Sequence, residues 1–226
     1  MSKPVIVFPE LYRAQLQAML PDSVEVRGFT GIEECLALAP QADIGWFDDF
    51  AIGAHVKGPA AATNAKWINT VLVGLDALPL REIEARGQIL TNGGGMMPDV
   101  VAEYAVMGAL TLAKRLDEVV RAHDRKEWIR PPVRFEMLGS KALVIGYGAI
   151  GSEIGKRLKA FGVEVTGVRR NTDNNPDIIG PDAWRARLAE FDFIILAAPS
   201  TSDTKALLGA YELAGMKPRA RIINIA

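Results

Sequence analysis

Three glycines in "KALVIGYGAIGSEIGKRL" carry the clearest chemistry in this sequence: Gly146-x-Gly148-x-x-Gly151 follows an apolar run and opens a helical pattern. In that context the spacing describes a turn that cradles the pyrophosphate of a dinucleotide. Gly146 permits the tight turn, Gly148 leaves the backbone open to the phosphates, and Gly151 lets helix and strand pack closely. The free amides of Ala149 and Ile150 at the helix start then point at the phosphates, and the helix dipole favours their charge. At the end of the next strand, in "VEVTGVRRN", an Asp or Glu would ordinarily bind the adenosine ribose. Arg169 and Arg170 stand there instead. A carboxylate repels a 2′-phosphate, whereas a guanidinium clasps it through charge-assisted hydrogen bonds worth about 1.5–3 kcal/mol each. The expected cofactor is therefore NADP(H), with NAD(H) second.

Such residues need elements to hold them. Strand-like runs at residues 5–8, 24–29 and 44–47 alternate with helical patterns at 11–20 and 32–38. Further strands at 67–73 and 88–90 flank a short helix at 79–86. A second series begins near Met137, with strands at 141–146, 164–169, 193–197 and 221–225 and helices at 149–161, 183–190 and 204–208. Strand and helix alternating through short turns imply βαβ units and parallel sheets. Between the two series, residues 98–116 form the longest helical pattern, with Val101, Ala105, Gly108 and Leu112 at helical spacing. The preceding "TNGGGMMP" reads as a hinge, its proline suited to a first helical turn, and the helix as one that crosses between domains. "RAHDRKEWIRPPVRFE" reads as a charged surface arm that a homodimer contact could use.

The chain's 226 residues suit one large or two ordinary domains, and a net charge of −1 gives no general attraction to nucleic acid or anionic membrane. A single cysteine, Cys35, excludes an internal disulfide and fits a reducing, cytoplasmic setting. No apolar stretch reaches the ~18 residues of a membrane span, and the apolar run in "MSKPVIVFPE" is too short for a signal peptide.

"LVIGYGAIGSEIGKRLKAFGVEV", "AAPSTSDTKALL" and "IINIA" together resemble consecutive landmarks of the D-isomer-specific 2-hydroxyacid dehydrogenases. "KWINTVLVGLDAL" and "TNGGGMMPDVVAEYAV" resemble that family's substrate-domain loop and inter-domain helix, and the glyoxylate/hydroxypyruvate reductase-like members are the nearest subgroup. The resemblance implies two parallel-sheet α/β domains: a flavodoxin-like substrate domain at residues 1–97 and a Rossmann-like NADP-binding domain at 98–226, the second truncated. It also implies reduction of a 2-keto acid to a D-2-hydroxy acid by hydride transfer, and a homodimer.

Residue by residue, the resemblance puts the amides of Val73 and Gly74 against the substrate carboxylate, with further backbone contacts from Gly94. Ala198, Pro199 and Thr204 match the segment under the nicotinamide ribose, and Ile225 and Ala226 the strand end beside it. Val101 stands where the family often has a small polar residue, and Glu103 reads as structural. The family's catalytic arginine directly follows the strand matched by "IINIA", so it is expected immediately after Ala226, with a glutamate and a histidine later. No catalytic residue and no metal ligand is assigned within the chain. His55, His123, Arg134, Arg185 and Arg187 read as ordinary loop or surface residues.

A strand at 221–225 is expected beside that at 141–146, as an edge exposing Ile222, Ile223 and Ile225, and so prone to association. The alternatives to an enzyme are a non-catalytic NADPH-binding module and an inactive fragment.

Overall fold

The computed structural model describes residues 3–130 and 135–226. Pro131, Pro132 and Arg134 of the charged arm lie outside the described residues. By its contacts the chain divides into two units, Met1–Met96 and Met97–Ala226.

In the first unit five strands, β1 (Val5–Pro9), β2 (Glu25–Phe29), β3 (Ile44–Trp46), β4 (Trp67–Asn69) and β5 (Ile89–Thr91), form one parallel sheet in the order β2-β1-β3-β4-β5. That is the flavodoxin-like order, and it places every strand's carboxyl end on one rim. Helices α1 (Arg13–Gln17), α2 (Ile32–Leu38), α3 (Ala54–Ala61) and α4 (Leu80–Ala85) supply the crossovers. The helix expected over 11–20 is shorter, a 3-10 turn at Glu10–Tyr12 followed by α1.

The pattern does not announce α3, because Gly58 and Pro59 lie inside it and both are poor helix formers. Gly58 is there for packing: a Cβ on it would lie 2.4 Å from the ring of the buried Phe47. Cys35 is fully buried in the same core, and burial, with a smaller push from Asp49, raises its thiol to about 11. In mildly alkaline buffer the folded protein is expected to react with a thiol reagent far more slowly than the denatured chain. Equal rates would contradict this burial.

The second unit repeats the logic with β6 (Lys141–Ile145), β7 (Glu164–Val168), β8 (Ile178–Ile179), β9 (Phe193–Leu196) and β10 (Arg221–Asn224), all parallel, in the order β10-β9-β6-β7-β8. Its helices are α5 (Pro98–Lys114), α6 (Leu116–Asp124), α7 (Ala149–Ala160) and α8 (Ala210–Gly215). Alternate residues of the central strands enter opposite cores, as the pleat requires. Ala142, Val144, Phe193 and Ile195 meet α5 and α7, while Leu143, Ile145 and Ile194 meet Trp184, Leu188 and Phe191. Both faces are covered, which is why these strands are apolar throughout.

Several expectations change here. The helix over 98–116 breaks at Arg115, which adopts a left-handed conformation (φ 53°), and α6 then absorbs residues 121–124 of the charged arm. The inward stripe of α5 is Ala102, Ala105, Val106, Ala109 and Ala113, leaving Leu112 exposed and Val101 and Gly108 half-buried. Residues 183–190 make only a 3-10 helix, Arg185–Glu190. Residues 204–208 are turns rather than helix, with Ala206 at φ 55°, and the helix follows as α8. Arg185 is less a free charge than a tie, donating to Glu212 of α8 at 3.0 Å while stacking on Trp184.

The last strand also lies elsewhere. β10 pairs with β9, not with β6, because β9 takes the slot beside β6 when the chain returns across the sheet. Its burial differs too: Ile223 is buried against α5 beside Gly108, and only Ile222 is exposed, Ile225 being half-buried.

Candidate functional site

In the order β10-β9-β6-β7-β8 the chain runs outward from β6 through β7 to β8, then returns to the other side of β6 as β9. Crossovers therefore leave the sheet in opposite directions between β6 and β9, opening a crevice at their carboxyl ends. The glycine turn sits there. Gly146 has φ +96°, and a Cβ on it would lie 2.4 Å from the Ala198 nitrogen and 2.6 Å from the Ala197 carbonyl carbon. Only glycine lets the end of β6 lie against the end of β9. A Cβ on Gly151 would fall 2.2 Å from the Gly146 oxygen, so the helix start packs directly on the turn.

Gly148 is the opposite case. It caps α7, and a Cβ on it would meet nothing within 4 Å. Among the described residues no carbonyl accepts from the amides of Ala149 and Ile150, although Ser152 N–H does bond the Gly148 carbonyl at 2.9 Å. Open space before unpaired amides at a twelve-residue helix's positive end fits a pyrophosphate.

One strand away, Arg169 and Arg170 close β7. The Arg169 amide donates to the Ile179 carbonyl at 3.2 Å. Its guanidinium turns back onto the following loop, donating to the Asn171 carbonyl and pairing with Asp173. Arg170 reaches the loop after β9 and pairs with Asp203 at 3.3 Å, both side chains largely exposed. Neither arginine is a bare solvated charge, and the two acids are partners that sequence reading does not supply.

That loop is also internally held. The Thr204 hydroxyl donates to the Pro199 carbonyl at 2.5 Å and accepts from the Thr201 amide at 2.8 Å. Ala198 is buried under the turn, Pro199 is exposed, and Ile225 joins β10 to the same rim by donating to the Leu196 carbonyl at 3.0 Å. Ala226 donates to the Asn224 side chain at 3.0 Å. Val101 stands in the first turn of α5 and offers a phosphate no side-chain donor. Glu103, on the same helix, faces Arg157 at 3.9 Å, and the closer Arg157–Asp99 pair, through its hydrogen bond, holds the Asp99 carboxyl below the usual carboxylate range.

A second candidate lies on the rim of the first unit. The strand expected over 67–73 ends at Asn69, and Thr70 to Gly74 form a loop beside the one after β5. Asn92 joins the two, donating to the Val73 carbonyl at 2.9 Å while its side-chain oxygen accepts from the Gly94 amide at 3.4 Å. Gly93 donates to the Leu72 carbonyl at 3.0 Å and packs on Val71, where a Cβ would lie 2.1 Å from the carbonyl oxygen. Val73, Gly74 and Gly94 are thus brought together, all three exposed.

Beneath this loop lies a residue that sequence reading misses, Asp48, a buried carboxylate 3% exposed. Its only sequence signal is an acid directly behind a buried strand in "IGWFDDF". Of the histidines, His123 is exposed on α6, and His55, on α3, packs against Phe50 with a buried, unpartnered Nδ1. Among the described residues no group of three or more His, Cys, Asp or Glu side chains could hold a metal ion. No described helix is long and apolar enough to cross a membrane.

Comparison with known proteins agrees with this geometry. The family model for the NAD-binding domain of D-isomer specific 2-hydroxyacid dehydrogenases matches residues 106–226. The glyoxylate reductase of Thermococcus litoralis is 31% identical over 174 residues, 72% of this chain and 53% of that protein. The human glyoxylate reductase/hydroxypyruvate reductase is 33% identical over 174 residues, 74% of this chain and 53% of that one. The chain thus spans about half the length of the curated relatives it matches. A solved glyoxylate reductase from Paecilomyes thermophila superposes with a TM-score of 0.84 over 100% of this chain and 74% of its own, at 18% identity, a likeness that speaks for the fold. Since the matched region takes in more than half of the chain, with the glycine turn and the sheet that forms the crevice, the chain belongs to the D-isomer specific 2-hydroxyacid dehydrogenase family.

Proposed function

We propose that this protein is an NADP(H)-dependent oxidoreductase that reduces a 2-keto acid of the glyoxylate or hydroxypyruvate type to the D-2-hydroxy acid. One observation carries the reading: an open anion-binding turn at Gly148 stands one strand from two guanidinium groups, where a carboxylate would select NAD(H). The substrate class rests on similarity to the glyoxylate reductases. When bound, the reduced nicotinamide supplies the hydride.

In this reading the second unit is the cofactor domain. Gly146, Gly148 and Gly151 shape the turn, Ala149 and Ile150 donate to the pyrophosphate, and Arg169 and Arg170 take the 2′-phosphate. Ala198, Pro199, Thr204, Ile225 and Ala226 border the nicotinamide ribose, and Val101 adds only apolar contact. The first unit is the substrate domain, where Val73, Gly74 and Gly94 receive the carboxylate through backbone amides. No proton donor is assigned within the chain.

Titration with NADPH and NADH, then turnover with glyoxylate and hydroxypyruvate, tests this. Tighter binding of NADPH and its consumption with formation of the D-acid are expected, and a preference for NADH would overturn the cofactor assignment. Binding without turnover would favour the second reading, an NADPH-binding module.

A homodimer and a cytoplasmic setting complete the proposal. Along α5 and α6, Tyr104, Met107, Leu112 and Val120 are exposed, beside a cavity of about 540 Å³ lined by Val106, Leu110 and Phe161 among others. An apolar face of this kind is suited to burial against a second copy. Sedimentation as a monomer at micromolar concentration would count against the dimer.

A further inference from the structure

Asp48 is the most deeply buried acid among the described residues, and all of its hydrogen-bond donors are neutral. One carboxylate oxygen accepts from the Thr70 hydroxyl at 2.8 Å. The other accepts from the Val71 amide at 2.6 Å and from the Trp46 indole N–H at 2.5 Å. The Thr70 oxygen in turn accepts from the Leu72 amide at 3.2 Å, and the Thr70 amide donates to the Thr91 carbonyl at 3.0 Å. Three consecutive residues, Thr70, Val71 and Leu72, are thereby wired to a single anion where β4 has just ended.

A buried carboxylate without a cationic partner is costly and is kept only where its acceptor capacity is used. Here that capacity is specific. A carboxylate has only acceptors, so it takes all three donors at once, whereas an asparagine with its oxygen toward Val71 and Trp46 would turn its N–H groups on the Thr70 hydroxyl and lose the charge that strengthens all three bonds. Trp46 is itself held by stacking on Tyr12, with ring centroids 4.8 Å apart, so the clamp is anchored from β3.

We propose that Asp48 is a positioning residue: its buried carboxylate holds the loop after β4 in the shape that presents the Val73 and Gly74 amides to the substrate carboxylate. The inference rests on the reading of that loop as the carboxylate site. It acts through backbone geometry and not by touching substrate.

The test uses Asp48→Asn, Thr70→Val and Thr70→Ser. Losing a charge-assisted bond is worth about one to two decades in affinity. For Asp48→Asn, KM for glyoxylate is expected to rise about tenfold or more, with kcat within about twofold and the NADPH Kd unchanged, because uniform binding is lost. Thr70→Val should move KM the same way by less, and Thr70→Ser, which keeps the hydroxyl, should restore it. Backbone hydrogen exchange at Val71 to Gly74 should quicken in Asp48→Asn while that of Ile68 in β4 does not.

Unchanged KM and unchanged loop exchange would overturn the proposal, as would a fall in kcat with KM intact. Should Asp48→Asn fail to fold, Thr70→Val against Thr70→Ser decides by the same readouts. If the wild type neither binds nor reduces a keto acid, the substrate reading fails by itself, and the exchange comparison still decides whether Asp48 holds the loop.

Discussion

Gly148→Asp is expected to abolish dinucleotide binding while leaving thermal stability near that of the wild type. A Cβ at Gly148 meets nothing within 4 Å, so the side chain costs the fold no steric strain. Aspartate is also a good helix cap, and at the head of α7 its carboxylate would draw the Ile150 or Gly151 amide to itself. The same carboxylate would then fill the anion site and repel a pyrophosphate. Losing two amide–phosphate bonds at about 1.5–3 kcal/mol each weakens both NADPH and NADH by at least about a hundredfold.

Gly146→Ala should fail in the other order. Its φ of +96° and the 2.4 Å approach of the Ala198 nitrogen leave no room for a methyl group unless the ends of β6 and β9 separate. Backbone strain and overpacking together should cost about 2–6 kcal/mol of stability. Calorimetric melting beside fluorescence titration of both cofactors separates the two cases. Undiminished binding by Gly148→Asp would remove the pyrophosphate from this turn.

Arg169→Asp should lower NADPH affinity by about 10–100-fold, the worth of one charge-assisted contact to the 2′-phosphate, with NADH affinity held or improved. Arg169 is the better placed of the pair, its side chain 35% exposed against 85% for Arg170. Its present partner, Asp173, sharpens the expectation, since the substitution would leave two carboxylates facing each other where a dianion must bind. Because the site is exposed, the NADPH preference of the wild type should shrink as ionic strength rises. Arg170→Ala should do less, its partner Asp203 being 3.3 Å away and both groups solvated. Equal NADPH affinity in the wild type and Arg169→Asp would refute the assignment.

The sequence by itself determined what depends on neighbours along the chain. The glycine turn is visible because its three positions answer to the turn and the helix that directly contain them. Most strands are visible because burial on both faces makes them largely apolar, whereas the two-residue β8 offers no such run. The family followed from several such landmarks in collinear order, and the matched region agrees with it.

Tertiary structure decided what depends on partners far along the chain. The neighbour of β10 is set by which slot beside β6 remains when the chain returns, and no local pattern encodes that. The inward stripe of α5 falls on Ala102, Ala105, Val106, Ala109 and Ala113 because that is the face turned to the core shared with β10 and α7. Asp48 finds its loop donors 22 and 23 residues away, and Arg170 finds Asp203 33 residues away. A lone acid or arginine in the sequence carries no mark of such a partner. The pairing exists only once parallel strands bring their carboxyl ends to a common rim.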